Sequence, residues 1–424
     1  MTREIHVYGD WLELGQCQRI GLMRASRVHG KETFSFEYDP DWLAGNDTLV
    51  LDPELLLFQG PQYLNDGDKA NFGLFLDSSP DRWGQIIMKR REALTARQEK
   101  RPANTLLQSD FLLGVHDQQR MGGLRFKVDP DGKFLSDHDG NNAPPWARLR
   151  ELENAAWQFQ ADDAAENPKL REWLSLLMAP GSSIGGARPK AGVCDEEDNL
   201  WIAKFPGRND EIDKGAWEMV AHTLAVDAGL NIAEARAEKF GRPHHTFLTK
   251  RFDRVVVNGQ RQRRHFASAM TMLGYSDGAD HAEGASYLEI VEFLIKHGAE
   301  VDADLPELWR RIVFSICVSN TDDHLRNHGF LLTQTGWKLS PAYDINPEPA
   351  GTGLHLNISE EDNSLDLDLA RSVAEFFRVD RGQAESIVAQ VKEAVSSWRS
   401  VATEIGISRS QQEAMASAFR IAEI

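Results

Sequence analysis

Cysteine is scarce in this chain. The three that occur, Cys17, Cys194 and Cys317, stand far apart with no C-x-x-C pair, which excludes a disulfide framework or a cysteine-based zinc site and fits a reducing compartment. No apolar run approaches the length of a membrane span, and the opening MTREIHVYGDWLELG lacks the charged-then-apolar layout of a secretory signal. The expectation is a soluble, cytoplasmic protein without membrane association. Positive charge is in deficit: 47 Lys and Arg against 65 Asp and Glu leave a formal net charge of −18. Such a field repels a phosphate backbone, so DNA contact is expected only through a basic partner. Internal repeats and low-complexity stretches are missing too.

What is present is an ordinary globular composition, 41% hydrophobic and 26% charged, over 424 residues. That length exceeds one compact core and predicts two or three domains. Short strand-like segments, IHVYG, ETFSFEYD and LLLFQG, fill the first 75 or so residues with Gly, Asp and Pro between them. The stretch SPDRWGQIIMKRREAL has a Ser-Pro start and places Trp83, Ile86, Ile87 and Arg90 at helical spacing, which predicts a helix closing this β-rich region. Residues 129–148 read as a polar loop. From 150 to 250, helix and strand mix: ELENAAWQFQ and GAWEMVAHTLAVDAG as helices, NLWIAKF as a strand. Beyond 285 the periodicity is helical in YLEIVEFLIKHG, ELWRRIVFSICVSN and AESIVAQVKEAVSSWRSVA.

The chemistry is concentrated in SNTDDHLRNHGFLL, residues 319–332, and KLSPAYDINP, residues 338–347. Asp322 precedes Asn327 by five positions, the spacing of the two residues in a kinase catalytic loop, H-R-D-x-x-x-x-N. A carboxylate there can take the proton of an attacking hydroxyl while a neutral amide oxygen holds a metal bound to nucleotide phosphates. GFLL, the turn TQTGW and KLSPAYD then read as a β-hairpin returning a second carboxylate, Asp344, as the main Mg²⁺ ligand. A polar loop after a buried helix, followed by an ordinary turn, is the simpler account of either piece alone; the combination favours phosphoryl transfer. Asp323 lacks the spacing to Asn327 and could cap a turn, and His324 could hydrogen-bond within the loop to hold the catalytic Asp, a lone histidine being otherwise usually structural.

The stretch PGSSIGGARPKAGV is rich in small residues whose backbone N–H groups can wrap a phosphate. Gly181 and Gly186 have Walker A spacing, but Ala187 and Arg188 replace the required Lys and hydroxyl residue, which rejects a P-loop NTPase. Lys204, at the end of the strand NLWIAKF, follows this turn in kinase order. It is the candidate for the lysine on the α- and β-phosphates, with Glu218 on the next helix as its ion-pair partner; a solvated edge-strand lysine is the alternative.

Together these segments resemble the HipA-type toxin kinases, the serine/threonine kinases of type II toxin–antitoxin modules. HVYGDWLELG, TFSFEYDPDWL, FGLFLDSSPDRWGQIIMKRRE and GVHDQQRMGGLRF are similar to the N-terminal part of that family. The resemblance implies an α+β, protein-kinase-like two-lobed fold: a β-rich N-terminal subdomain (1–110), an α/β N-lobe (111–252) and an all-helical C-lobe (253–424). It implies Asp322 as catalytic base, Asn327 and Asp344 as magnesium ligands, and ATP with Mg²⁺ as cofactors. Ser183, Ile184, Gly185, Gly186 and Ala187 fall on the phosphate loop S-x-x-G-A-x-x-K, with Ser183, or its neighbour Ser182, as the autophosphorylated serine. Lys250 and Phe252 would hydrogen-bond adenine through their backbone, Asp253 would reach the ribose, and His324 and Arg326 would lie at the nucleotide. Arg326 departs from the Lys that many relatives carry there, and the two are not equivalent toward phosphate. The implied substrate is a serine of a translation protein, expected to be an aminoacyl-tRNA synthetase, and the implied partner is a DNA-binding antitoxin of HipB type. Small-molecule phosphotransfer, and a corepressor role without turnover, are the alternatives.

Overall fold

The structure is a computed structural model that describes residues 2–28, 30–46, 49–64, 69–136, 143–161, 167, 169–178 and 188–423. The chain divides into two compact units, residues 1–208 with 253–267 and residues 209–252 with 268–424. The chain crosses between the units after residues 208, 252 and 267.

In the first unit, strands β1 (Thr2–Gly9), β2 (Gln18–Val28), β3 (Lys31–Tyr38), β4 (Gln62–Tyr63) and β5 (Leu124–Lys127) form an antiparallel sheet in the order β4-β3-β2-β1-β5. Period-two alternation buries Ile5 and Val7 of β1 and Phe34, Phe36 and Tyr38 of β3. Phe36 meets Phe75 at a centroid distance of 5.6 Å, and Phe75 in turn meets Phe72 and Phe126. Such buried rings each contribute several kcal/mol, about 3–5 on truncation to alanine.

LLLFQG, expected as a strand, is a sequence of turns instead. The buried Asp52 carboxylate accepts from the N–H groups of Glu54 and Leu74, and the Gln62 side chain bonds both the N–H and the carbonyl of Leu56. Side chains thus satisfy the backbone groups that a sheet partner would otherwise take.

Helix α1 (Arg82–Gln98) follows the predicted Ser-Pro start, but Ile86 of its expected apolar stripe is 39% exposed while Trp83 and Ile87 are buried. Helices α2 (Leu149–Phe159) and α3 (Leu170–Met178) lead to strands β6 (Lys190–Cys194) and β7 (Leu200–Lys204), an antiparallel pair in which Lys190 faces Lys204. The hairpin of Arg254–Val257 and Gln260–Arg263 completes the unit. It turns on Asn258 and Gly259, both at positive φ (51° and 73°), the conformation that makes Asn-Gly a favoured two-residue hairpin turn.

The second unit begins with helix α4 (Lys214–Asp227). Its N-cap, Asp213, accepts from the N–H groups of Ala216 and His245 and from the His245 ring at 2.7 Å. Strands β8 (Ala235–Glu238) and β9 (Thr246–Lys250) pair antiparallel. The remainder is mostly helical, with α5 (Tyr287–His297), α6 (Val301–Val318), α7 (Arg381–Ser396) and α8 (Trp398–Ile405), interrupted by the hairpin β10 (Gly329–Thr333) and β11 (Gly336–Leu339). Among the described residues no helix is long and apolar enough to cross a membrane.

Candidate active site

Helix α6 is almost wholly buried over its last turns and stops at Ser319, which adopts a left-handed φ of 51°. The Ser319 hydroxyl donates to the carbonyl of Ala418 at 2.8 Å. This sharp exit starts the loop Asn320–Asn327, in which Asn320, Asp323, Leu325 and Asn327 stay buried and Asp322 is exposed. Asn320 then ties the loop to its other half, since its side-chain oxygen accepts from the backbone N–H of Asn346 at 3.0 Å.

The two adjacent aspartates part company. Asp323 is buried (5% exposed), accepts from the Tyr287 hydroxyl at 2.6 Å and has His328 Nε2 at 3.0 Å. Burial pushes its carboxyl up, but His328 and the Tyr287 donor outweigh this and hold it below the usual carboxylate range. The same burial, with the Asp323 charge beside it, drives the Tyr287 hydroxyl well above its ordinary value. Asp323 is therefore a fixed internal anchor, while Asp322 is solvent-exposed and open to a substrate.

Asn327 holds Asp322 in place. Its side-chain Nδ2 donates to the Asp322 carbonyl at 2.8 Å, and the residue is only 5% exposed. With the amide nitrogen so used, the amide oxygen is the atom this side chain can offer to a cation.

The hairpin β10–β11 brings Asp344 to the same loop. Leu339 at its end is pinned by Asp304, which accepts from the Leu339 N–H at 2.9 Å, and Arg311 donates to the carbonyl of Ser340. Tyr343 then reaches back, its hydroxyl donating to the carbonyl of Arg326 at 2.7 Å. Asp344 itself sits at φ 59°, a left-handed conformation that costs a non-glycine residue roughly 1–3 kcal/mol and clusters at functional sites. Asn346 Nδ2 donates to its Oδ1 at 3.3 Å.

His324 stands between the carboxylates. Burial holds its ring below the ordinary histidine value against the opposing pull of Asp322 and Asp344, so the ring is a neutral imidazole at neutral pH. Its Nδ1 is buried without a hydrogen-bond partner, and its ring meets His355 edge-on at 5.7 Å. Among the described residues no hydrogen bond joins His324 to Asp322; the Asn327 amide ties Asp322 through its backbone instead. Arg326 points Nη1 toward Asp277 at 3.4 Å.

Of the residues expected at adenine, Phe252 lies against Tyr343 with ring centroids 5.5 Å apart, one residue from Asp344. The Lys250 N–H donates to the carbonyl of Glu234 at 2.8 Å, and its ammonium is 3.6 Å from the Glu234 carboxylate. Asp253 requires a correction. It is fully buried, accepts from the N–H of Gly122 at 2.8 Å and pairs with Arg254 at 2.6 Å. A carboxylate so enclosed fastens the first unit internally and is not presented to a ribose.

Lys204 is 6% exposed and Glu218 3% exposed, which removes the solvated-edge alternative for the lysine. Ser182, Ser183, Ile184, Gly185, Gly186 and Ala187 lie outside the described residues. The pairing of Lys190 with Asp81 at 2.7 Å was not read from the sequence, where the motif SPDRWG was visible only as a helix start.

The donor set suits magnesium. One carboxylate and one amide oxygen, Asp344 and Asn327, match a cation that takes its remaining ligands from phosphates and water. Among the described residues no group of three or more His, Cys, Asp or Glu could hold a metal.

The fold is a kinase-like one of mixed α/β structure. Residues 182–398 match the family model of the HipA-like C-terminal domain, just over half of the sequence, and the chain belongs to the HipA family. A putative kinase of Haemophilus influenzae is 30% identical over 215 residues, 45% of this chain and 62% of that protein. The serine/threonine-protein kinase toxin HipA of Shewanella oneidensis is 27% identical over 143 residues, 30% of this chain and 33% of that protein. Both alignments span less than two thirds of those relatives. A chain in the solved complex of HipA, HipB and operator DNA from Shewanella oneidensis MR-1 superposes with a TM-score of 0.66 at 18% identity, covering 99% of this chain and 96% of that one.

Proposed function

We propose that this chain is an ATP-dependent protein serine/threonine kinase and acts as the toxin of a toxin–antitoxin pair. The observation that carries the reading is the division of labour around Asn327: its amide nitrogen fixes the carbonyl of Asp322, its amide oxygen is left for a cation, and Asp322 alone of the two aspartates faces solvent.

In the proposed reaction Asp322 orients and accepts the proton of a serine hydroxyl. The serine oxygen forms a bond to the γ-phosphorus as the bond from that phosphorus to the β-phosphate bridging oxygen breaks, and ADP leaves. Magnesium, bound by Asn327 and Asp344, would neutralise the phosphate charge. Lys204 is assigned to the α- and β-phosphates with Glu218 as its partner, Lys250 and Phe252 to adenine, and Arg326 and His324 to the nucleotide's surroundings. Ser183–Ala187 are assigned to phosphate wrapping, with Ser183, or Ser182, as the autophosphorylated residue. A phosphate there adds roughly −1.5 to −2 charge next to incoming ATP and shuts the enzyme down.

The substrate assigned is a serine of a translation-related protein, an aminoacyl-tRNA synthetase in the first instance, with growth arrest as the result. The HipB present in the solved complex of the structural relative, and the net charge of −18 here, support a basic antitoxin as partner and DNA contact only through it.

The test is incubation of the purified chain with γ-labelled ATP and Mg²⁺, followed by mapping of the labelled residue by mass spectrometry. Label on Ser183 or Ser182 that is lost in Asp322→Ala is the expected result. ATP binding without label would favour small-molecule phosphotransfer, and absence of nucleotide binding would leave a corepressor role.

A further inference from the structure

Asp322 and Asp344 stand on separate segments of the second unit, one after helix α6 and the other after the hairpin β10–β11. Their spacing therefore depends on what joins those segments. Part of the joint is direct: the Asn346 N–H reaches the Asn320 side-chain oxygen at 3.0 Å, and the Glu348 N–H donates to the carbonyl of Ser319 at 3.1 Å. Gly351 closes on Thr321, the residue before Asp322. A Cβ at position 351 would lie 2.4 Å from Thr321 Cγ2 and 3.0 Å from its Oγ1, so only glycine lets the two chains approach this closely.

A third segment, Ser417–Arg420, spans the other two. The Arg420 guanidinium donates through Nη1 to the Ser319 hydroxyl oxygen at 3.3 Å and through Nη2 to the carbonyl of Gly351 at 3.2 Å. Nη1 also donates to the carbonyl of Ser417 at 2.7 Å, which fixes the fork within its own turn. The Ser319 hydroxyl directs its proton to Ala418, and its oxygen remains an acceptor for Arg420. Beside this bridge the Ser417 hydroxyl donates to the carbonyl of Pro349 at 2.8 Å. A planar fork holds two acceptors at once, where an ammonium is a single point. The segment does not depend on Arg420 for its own place, because Phe419 is fully buried with its ring stacked on Trp398 at 4.4 Å. Arg420 is half-buried, and its side chain can be altered without opening the core.

We propose that Arg420 is a positioning residue for phosphoryl transfer: it bridges Ser319 and Gly351, and so fixes the loop bearing Asp322 against the segment that follows Asp344. This rests on the kinase reading. The carboxylate that takes the serine proton and the metal-bound phosphate must meet in one geometry, and a shift of about 1 Å between them costs roughly 100-fold in rate. Without the bridge, the direct contacts still join the two segments but leave their spacing looser.

The experiment measures kcat and KM for phosphoryl transfer, the Kd for Mg·ATP and the thermal midpoint, all on the full chain. Arg420→Gln is expected to lower kcat about tenfold while KM and Kd stay within about threefold of native. A merely structural contact would lower the midpoint and leave kcat of the folded chain unmoved. Arg420→Lys keeps the charge but offers one nitrogen, and is expected to stay at least about fivefold below native in kcat. Gly351→Ala drives a methyl group into Thr321 and is expected to lower kcat about tenfold as well; Thr321→Ser in the same chain removes the colliding Cγ2 and restores the rate to within about threefold of native. Native kcat in folded Arg420→Gln or Arg420→Lys, or a loss that extends to KM and Kd, overturns the proposal and leaves Arg420 as a tie within the fold. A Gly351→Ala chain at native kcat, or one that Thr321→Ser does not restore, overturns it too. Should Arg420→Gln fail to fold, Arg420→Lys decides by the same rule. The two levels separate cleanly: a native chain that transfers phosphoryl only with Asp322 intact upholds the kinase reading whatever Arg420 shows, while a native chain that transfers none ends both.

Discussion

The side-chain amide of Asn327 donates to the backbone carbonyl of Asp322 across 2.8 Å, so one residue shapes the loop that carries Asp322 and keeps its amide oxygen for the cation proposed above. The next position, Asp323, is locked to Tyr287 and His328. Two neighbouring carboxylates thus have separate duties, and they respond differently to substitution.

Asp323→Ala is expected to lower stability by about 3–5 kcal/mol, because it leaves His328 and the Tyr287 hydroxyl buried without their partner. Asp322→Ala removes an exposed carboxylate and is expected to leave the unfolding midpoint within about 0.5 kcal/mol of native. Chemical denaturation of the two variants side by side checks this; equal destabilisation would contradict the assignment.

Asp344 is strained at φ 59°. Glycine adopts this conformation freely, so Asp344→Gly is expected to gain up to about 1 kcal/mol locally while losing phosphoryl transfer. Thermal unfolding and an ATP turnover assay read the two effects; loss of stability would show that the Asp344 side chain contributes more to the fold than the backbone strain costs.

Asp253 fastens Gly122 and Arg254 inside the first unit. Asp253→Ala is expected to destabilise that unit by several kcal/mol, roughly 3–5, and to leave the ratio of affinities for ATP and 2′-deoxy-ATP unchanged. An altered ratio, measured by titration calorimetry, would restore a contact with the sugar.

His265 is enclosed beside Trp11, its ring stacked at 4.8 Å, and burial lowers its pKa to about 3. The unfolded chain takes up that proton near the ordinary histidine value of 6.5, so unfolding binds a proton between pH 6.5 and 3. The stability this neutral ring contributes is present in full above pH 6.5 and is lost as pH falls toward 3, at about 1.4 kcal/mol per pH unit. Equilibrium unfolding of the first unit should lose stability along that slope, and His265→Gln should flatten it.

Helices α5, α6 and α7 were legible because apolar residues three and four apart leave one solution for burial. The Asp322–Asn327 spacing and the returning hairpin were equally plain, since both are short-range features. What escaped depends on partners distant in sequence. LLLFQG has strand composition, yet the Gln62 side chain takes both backbone groups of Leu56 within it and holds it away from a sheet. The stretch VVVNGQRQR carried a visible Asn-Gly hairpin signal that went unread. The fate of Asp253 was set by Gly122, and that of Lys190 by Asp81, each more than a hundred residues away. A local motif identifies which residues carry charge, whereas only the fold shows which of those charges are already neutralised.

The most direct test compares the initial rate of phosphoryl transfer from ATP in Asp322→Asn and Asp323→Asn, with nucleotide affinity measured on the same samples. The account predicts that Asp322→Asn binds Mg·ATP like the native chain and loses turnover by about 10²-fold or more, while folded Asp323→Asn retains most of it. Full turnover in Asp322→Asn, or abolition by Asp323→Asn in a folded, ATP-binding chain, would contradict the assignment of Asp322 as the residue that receives the serine proton.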